Sequence, residues 1–208
     1  MNTTPFAGEG LRLLCRLIAL SPRTAHFEAL HACLEPAAIR SCGPGALRQV
    51  VTTLVEYAQR LPVPGDARCI ESPNLRIAAE IVAAIRAAHP TVSRLYSSEV
   101  FVRRRLDDPR ATLHVAERGA QLFPGDWACV AAMVNALRDA KQPDTALEYS
   151  ERALAIDPKD GSPLHDAGWA FMDVGRGTDA ARVFTRLLRL FPEYPGAERA
   201  LAIANLGK

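Results

Sequence analysis

Pro90, Pro124, Pro158 and Pro192 stand 34 residues apart, in the contexts AAHP, QLFP, AIDP and RLFP. Three equal intervals of this length, each holding two helix-length segments, are the mark of a stacked helix–turn–helix array. Such a unit cannot bury its apolar face alone and must bury it against the next copy. A chain with this period therefore builds a scaffold with a groove, in place of an enclosed pocket. A second ladder fixes the register. Pro109 and Pro143 are also 34 apart, each where a second helix would open and where proline's missing N–H costs nothing. The segments AERGAQLFP (116–124) and SERALAIDP (150–158) share Glu-Arg at one offset, and in the turn VGRGTD Gly175 and Gly177 take over the breaking role.

Between these stops apolar residues recur at i, i+3 and i+4, and alternating β-branched runs do not occur, which predicts an all-α fold. The spacing predicts helices near 8–19, 23–34, 44–61, 74–88, 93–106, 110–122, 127–140, 144–156, 161–174, 178–190 and 195–206. Repeats run 93–126, 127–160 and 161–194, followed by a short last helix. Residues 1–90 are helical but off the 34-residue template, and the loop PVPGDARCIESP (62–73) is long for a helix–helix connection. Arrays need capped ends. We therefore expect 1–90 to be a divergent helical region stacking on the array, and 91–208 to hold the repeats and a C-terminal capping helix.

The overall charge excludes little but directs attention. Of 208 residues 49% are hydrophobic and 23% charged, with a formal net charge of +2, so nothing points to nucleic acid as the main partner. Residues 91–124 carry six Arg against four acids, whereas 125–158 carry three basic residues against six acids. Five cysteines with no C-x-x-C pair read as free thiols in a reducing cytosol, not as a disulfide framework or a zinc site. The stretch LRLLCRLIAL is interrupted by Arg12 and Arg16, which makes it an amphipathic helix, not a signal peptide or membrane span. A cytoplasmic protein without cofactor is the expectation.

From 127 to 192 the chain resembles the tetratricopeptide repeat. In that family small residues at the eighth, twentieth and twenty-seventh positions let two helices pack closely. Large apolar residues fill the fourth, seventh, eleventh and twenty-fourth, and proline closes the unit at the thirty-second. The 161–194 unit matches with Leu164, Gly168, Phe171, Ala180, Phe184 and Pro192, and departs at Ala167 and Leu187. The 127–160 unit matches with Val130, Met133, Leu137, Ala146, Ala153 and Pro158, and departs at Val134 and Ser150. The 93–126 unit is degenerate, because Glu99 and Arg103 stand where apolar residues belong. The resemblance implies antiparallel helix pairs wound as a right-handed superhelical solenoid over about residues 93–208.

It also implies a binding face. The family's first helices line the concave side, and their second, fifth, ninth, twelfth and thirteenth positions point into it. In 127–160 these are Ala128, Ala131, Asn135, Arg138 and Asp139. In 161–194 they are Ser162, His165, Trp169, Met172 and Asp173. In the degenerate unit they are Arg94, Ser97, Phe101, Arg104 and Arg105. Asn135 would hold a peptide backbone, Trp169 and Phe101 would be aromatic anchors, and the arginines would fork onto carboxylates. Against this, Trp169 has an equal claim to packing beneath the C-terminal cap, and the 103–105 arginine run to being a solvated helix end. The lysine and asparagine clamp that some family members close on chaperone C-termini is matched only at Asn135. Ala131 and Asp166 break the pattern.

No catalytic or metal constellation emerges. His26 and His31 are spaced i,i+5 and do not share a helix face, and no G-x-G-x-x-G, P-loop, H-E-x-x-H or G-x-S-x-G motif is present. The expected function is a non-catalytic scaffold that binds another protein or peptide in the groove, with no nucleic acid and no membrane. The alternative is a dedicated inhibitor, immunity protein or chaperone holding one partner. A further competing arrangement is homo-oligomerisation through the amphipathic first helix, by Leu11, Leu14, Cys15 and Ile18.

Overall fold

The computed structural model describes residues 6–61 and 72–206; Cys69 and most of the 62–73 loop lie outside them. Among the described residues there are twelve helices and no strand. They are α1 (Phe6–Leu20), α2 (Thr24–Ala32), α3 (Pro36–Ser41), α4 (Pro44–Gln59), α5 (Pro73–Ala88) and α6 (Ser93–Arg104). Then come α7 (Pro109–Leu122), α8 (Trp127–Asp139), α9 (Pro143–Ile156), α10 (Ser162–Met172), α11 (Gly177–Leu190) and α12 (Ala197–Leu206). The helical spacing anticipates each of these except α3, whose six residues are too few to display a 3.6-residue period. The chain divides into two compact units, 1–108 and 109–208.

The 34-residue period is carried by the backbone as well as by prolines. Helices α5, α7, α9 and α11 end at Ala88, Leu122, Ile156 and Leu190, each 34 residues beyond the last. The residues just past α6, α8 and α10 hold left-handed backbone at the same interval: Asp107 (φ 54°), Lys141 (φ 59°) and Gly175 (φ 77°). In α8 the Gln142 N–H donates to Leu137 O at 2.9 Å and the Lys141 N–H to Arg138 O at 3.0 Å, the paired bonds of a Schellman stop. Gly175 and Arg176 close α10 in the same way, on Met172 O and Phe171 O. Gly177 instead opens α11 from a buried position.

Only one of the three left-handed positions is glycine. A side chain there costs about 1–2 kcal/mol, and glycine's freedom in the unfolded chain returns part of that. Lys141→Gly is therefore expected to raise stability by about 0.5 kcal/mol, read as a higher urea midpoint with an unchanged slope. Gly175→Ala should lower it.

Unit 2 is built as the repeat pattern requires. Helix α7 packs on α8, α8 on α9, α9 on α10, α10 on α11 and α11 on α12, while α8 also meets α10. Val130, Met133, Leu137, Ala146 and Ala153 are buried, as are Leu164, Phe171, Ala180 and Phe184. The departures are absorbed without loss: Val134 is fully buried, and Ser150 donates its Oγ–H to Leu147 O at 2.7 Å. Alanines 197, 200 and 204 of α12 cover the apolar side of α11.

Unit 1 pairs helices distant in sequence. Helix α1 lies on α4, α2 and α3 each lie on α5, and α4 meets both α5 and α6. The apolar face of α1 is consumed here, with Leu11, Cys15 and Ile18 all buried in the unit's core and Leu14 packed against it. The face expected to join two chains is therefore covered by this one.

The two polar departures on α6 prove to be a network. Glu99 is completely buried, and its carboxylate accepts from Arg103 Nε at 2.7 Å and from Arg86 Nε of α5. The Arg86 guanidinium also lies 5.2 Å from the centre of the Tyr96 ring. Burial works against the charge of Arg86, but the Glu99 hydrogen bond and attraction, with help from Tyr96, hold its pKa above the ordinary arginine value.

Candidate functional site

In unit 2 the first helices α8 and α10 lie side by side, and the side chains carried over to the groove meet at their C-terminal ends. Arg138, in the last turn of α8, donates from Nε to Asp173 Oδ2 at 2.7 Å and stands 3.9 Å from Asp166 Oδ1. Its guanidinium lies 5.9 Å from the centre of the Trp169 ring. Trp169 donates its Nε1–H to His165 Nε2 at 3.0 Å, one helical turn back. That bond assigns the imidazole proton to Nδ1, 3.8 Å from Asp166 Oδ1.

Aromatic rings support this row from below. Trp169 stands edge-on to Phe184 at 5.8 Å, and His165 lies 6.0 Å from Phe184 and 5.2 Å from Tyr194. One side of the Trp169 ring packs on the C-terminal core, and the residue stays half exposed. Met172 is half-buried against the same core. Tyr194 was not anticipated, because it lies in the connection after Pro192, outside any helix period. Burial, then the nearby Asp166 and Asp160, push its phenol pKa up, so it stays a neutral ring.

The remaining groove positions contribute less. Asn135 is half-buried and commits one amide N–H to Ala131 O of its own helix at 3.3 Å, leaving one donor and an acceptor for a ligand. Ala131 is buried and presents almost no surface. Arg138 is not an open fork for a partner's carboxylate, because Asp173 and Asp166 already hold it. Two acids thus face one arginine here, so the row is acidic on balance.

The third set of residues belongs to unit 1. Phe101 packs against that unit's core, and the Arg105 guanidinium lies 5.4 Å from its ring centre, so the ring is half covered. Arg104 and Arg105 continue the helix end beyond Arg103, and Ser97 donates Oγ–H to Arg94 O at 3.1 Å. The structure thus gathers Arg138, His165, Trp169 and Met172 in unit 2, while Phe101, Arg104 and Arg105 belong to unit 1.

A concavity of unit 2, about 320 Å³, lies between α9, α10 and α11. Its charges are already matched. Arg176 pairs with Asp144 and Asp179 at 2.6 Å each, and Arg186 holds Glu151 with both amino groups. Thiol chemistry finds no support in the buried cysteines. Burial, then Asp126, pushes the Cys129 thiol up to about 12, and burial raises Cys15 and Cys42 as well, so each stays a protonated, weak nucleophile at neutral pH. Among the described residues no three His, Cys, Asp or Glu side chains gather as a metal site, and no helix is long and apolar enough to cross a membrane.

No family model and no curated protein matches the chain. Solved structures do, and they are tetratricopeptide-repeat proteins among others. TTC0263, a thermophilic TPR protein of Thermus thermophilus, is 16% identical with a TM-score of 0.57, over 96% of this chain and 99% of that one. MamA from residue 41 onward, of Desulfovibrio magneticus RS-1, is 13% identical with a TM-score of 0.61, over 93% and 99%. YrrB, described as a TPR protein with an unusual peptide-binding site, is 13% identical with a TM-score of 0.53, over 91% and 98%. At these identities the likeness is one of fold: the chain has the all-α helix-pair fold of tetratricopeptide-repeat structures.

Proposed function

We propose that this chain is a non-catalytic interaction module whose unit 2 takes a segment of another protein across the exposed faces of α8 and α10. The observation that carries this reading is the row Arg138, Asp166, Asp173, His165 and Trp169. A preorganised aromatic surface there is edged by an excess of carboxylates. Rigid aromatic rings provide contact area at little entropic cost, and the hydrogen bond to His165 fixes the indole before a partner arrives. The charge balance selects a basic segment, because Asp166 and Asp173 outnumber Arg138. The description of YrrB as a peptide-binding protein is consistent with such a use of this fold.

Affinity capture from lysate, with wild type and Asp166→Lys/Asp173→Lys as baits side by side, tests the assignment. Both acids sit at least a quarter exposed, so reversing them should leave the helix pair folded. A prey held by wild type and lost on reversal, with recovery as salt is lowered for wild type only, supports capture across α8 and α10. A prey retained equally by both baits removes this face as the contact.

A further inference from the structure

We infer that unit 1 carries a separate binding site for a small amphipathic carboxylate, in a cavity between α4, α5 and the start of α6. The cavity measures about 500 Å³, within the range of drug-sized ligand sites. Its walls are apolar, formed chiefly by Leu47, Val51, Ile85 and Leu95, all of them buried residues of the unit's core. Besides Cys42 and Thr52, the lining carries Arg48, His89 and Arg94, none of whose side chains has a hydrogen-bond or ion-pair partner among the described residues.

His89, just past the end of α5, presents a buried Nε2 with no hydrogen bond. A buried imidazole nitrogen left unmatched is destabilising, and native structures rarely leave one so. Arg48 of α4 and Arg94 of α6 line the same cavity from exposed positions, and no carboxylate pairs with either among the described residues. No acid lines this cavity.

Two guanidiniums flanking an apolar chamber select a ligand with a carboxylate at one end and a hydrocarbon body at the other. The chain of such a ligand replaces water against Leu47, Val51, Ile85 and Leu95, its carboxylate is held by Arg48 and Arg94, and a polar atom reaches His89 Nε2.

Calorimetric titration of the full chain with decanoate tests it, alongside decanol, decyltrimethylammonium and acetate. Expected is saturable binding of decanoate at one site, with the alcohol and the cation at least about tenfold weaker and acetate without effect. Arg48→Glu/Arg94→Glu should lose decanoate by about tenfold or more while melting as wild type, since both arginines are exposed. His89→Leu should weaken it less. Failure of decanoate to bind, equal binding of decanol, or unchanged decanoate affinity in a folded arginine variant would each overturn the assignment.

Discussion

Gly168→Val is expected to destabilise unit 2 by about 3 kcal/mol, the upper end of what overpacking ordinarily costs. A Cβ built on Gly168 meets Phe184 Cε1 at 2.5 Å, with Cζ at 2.8 Å and Cδ1 at 2.9 Å. Phe184 is completely buried, so its ring has no solvent-side rotamer to retreat into. Removing a glycine from mid-helix recovers about 1 kcal/mol at most, which does not offset three sub-contact distances to a rigid ring. The two helices of this hairpin, α10 and α11, must move apart or the ring must leave the core. Phe184→Leu should therefore rescue Gly168→Ala in part, giving a coupling of about 1–3 kcal/mol in a double-mutant cycle. Both tryptophans, Trp127 and Trp169, lie in unit 2, so their fluorescence in urea reads this unit alone. A Gly168→Val midpoint within error of wild type would mean the hairpin is loose enough to accept a side chain there.

That glycine was legible in sequence, as were the helices and the array period, because all of them are local or strictly periodic signals. Proline at 34-residue intervals marks where each second helix has stopped, and small residues mark where helices approach. What periodicity cannot say is which helix an apolar face meets. The face of α1 was plain from Leu11, Leu14, Cys15 and Ile18, but its partner α4 lies three helices further along, so a covered face and a free one read alike. Lys141 and Asp107 carry no sequence mark of their conformation for a related reason, since left-handed backbone is announced by glycine and of the three only Gly175 supplies one. The groove positions came from the family template by register, and α8 and α10 place them on neighbouring helices. Their mutual pairing could not be read, because Arg138 finds Asp173 35 residues away. Glu99 and Arg103 looked like decay of a repeat. Their i,i+4 spacing was the one local hint of an ion pair, and Arg86, from the preceding helix, was the part out of reach.

Arg86→Ala/Arg103→Ala tests that reading with the largest effect we expect in unit 1. Glu99 has no exposure of its own and only these two guanidiniums on its carboxylate among the described residues, each about a quarter exposed. Taking away one arginine leaves the charge half satisfied. Taking away both strands a carboxylate in the interior, and breaking a buried pair in this way costs about 3–5 kcal/mol. The charge, not the lost contact, carries the cost, so Glu99→Leu added to the same variant should return most of it by placing an apolar residue where the repeat template wants one. Unit 1 holds neither tryptophan, so far-ultraviolet circular dichroism should show the loss while tryptophan fluorescence reports unit 2. A triple variant as unstable as the double would assign the cost to the arginine stems packing between α5 and α6. Recovery in the triple would show that position 99 can be apolar, so the mismatch is an alternative way of fastening α6 to α5 within the same 34-residue frame.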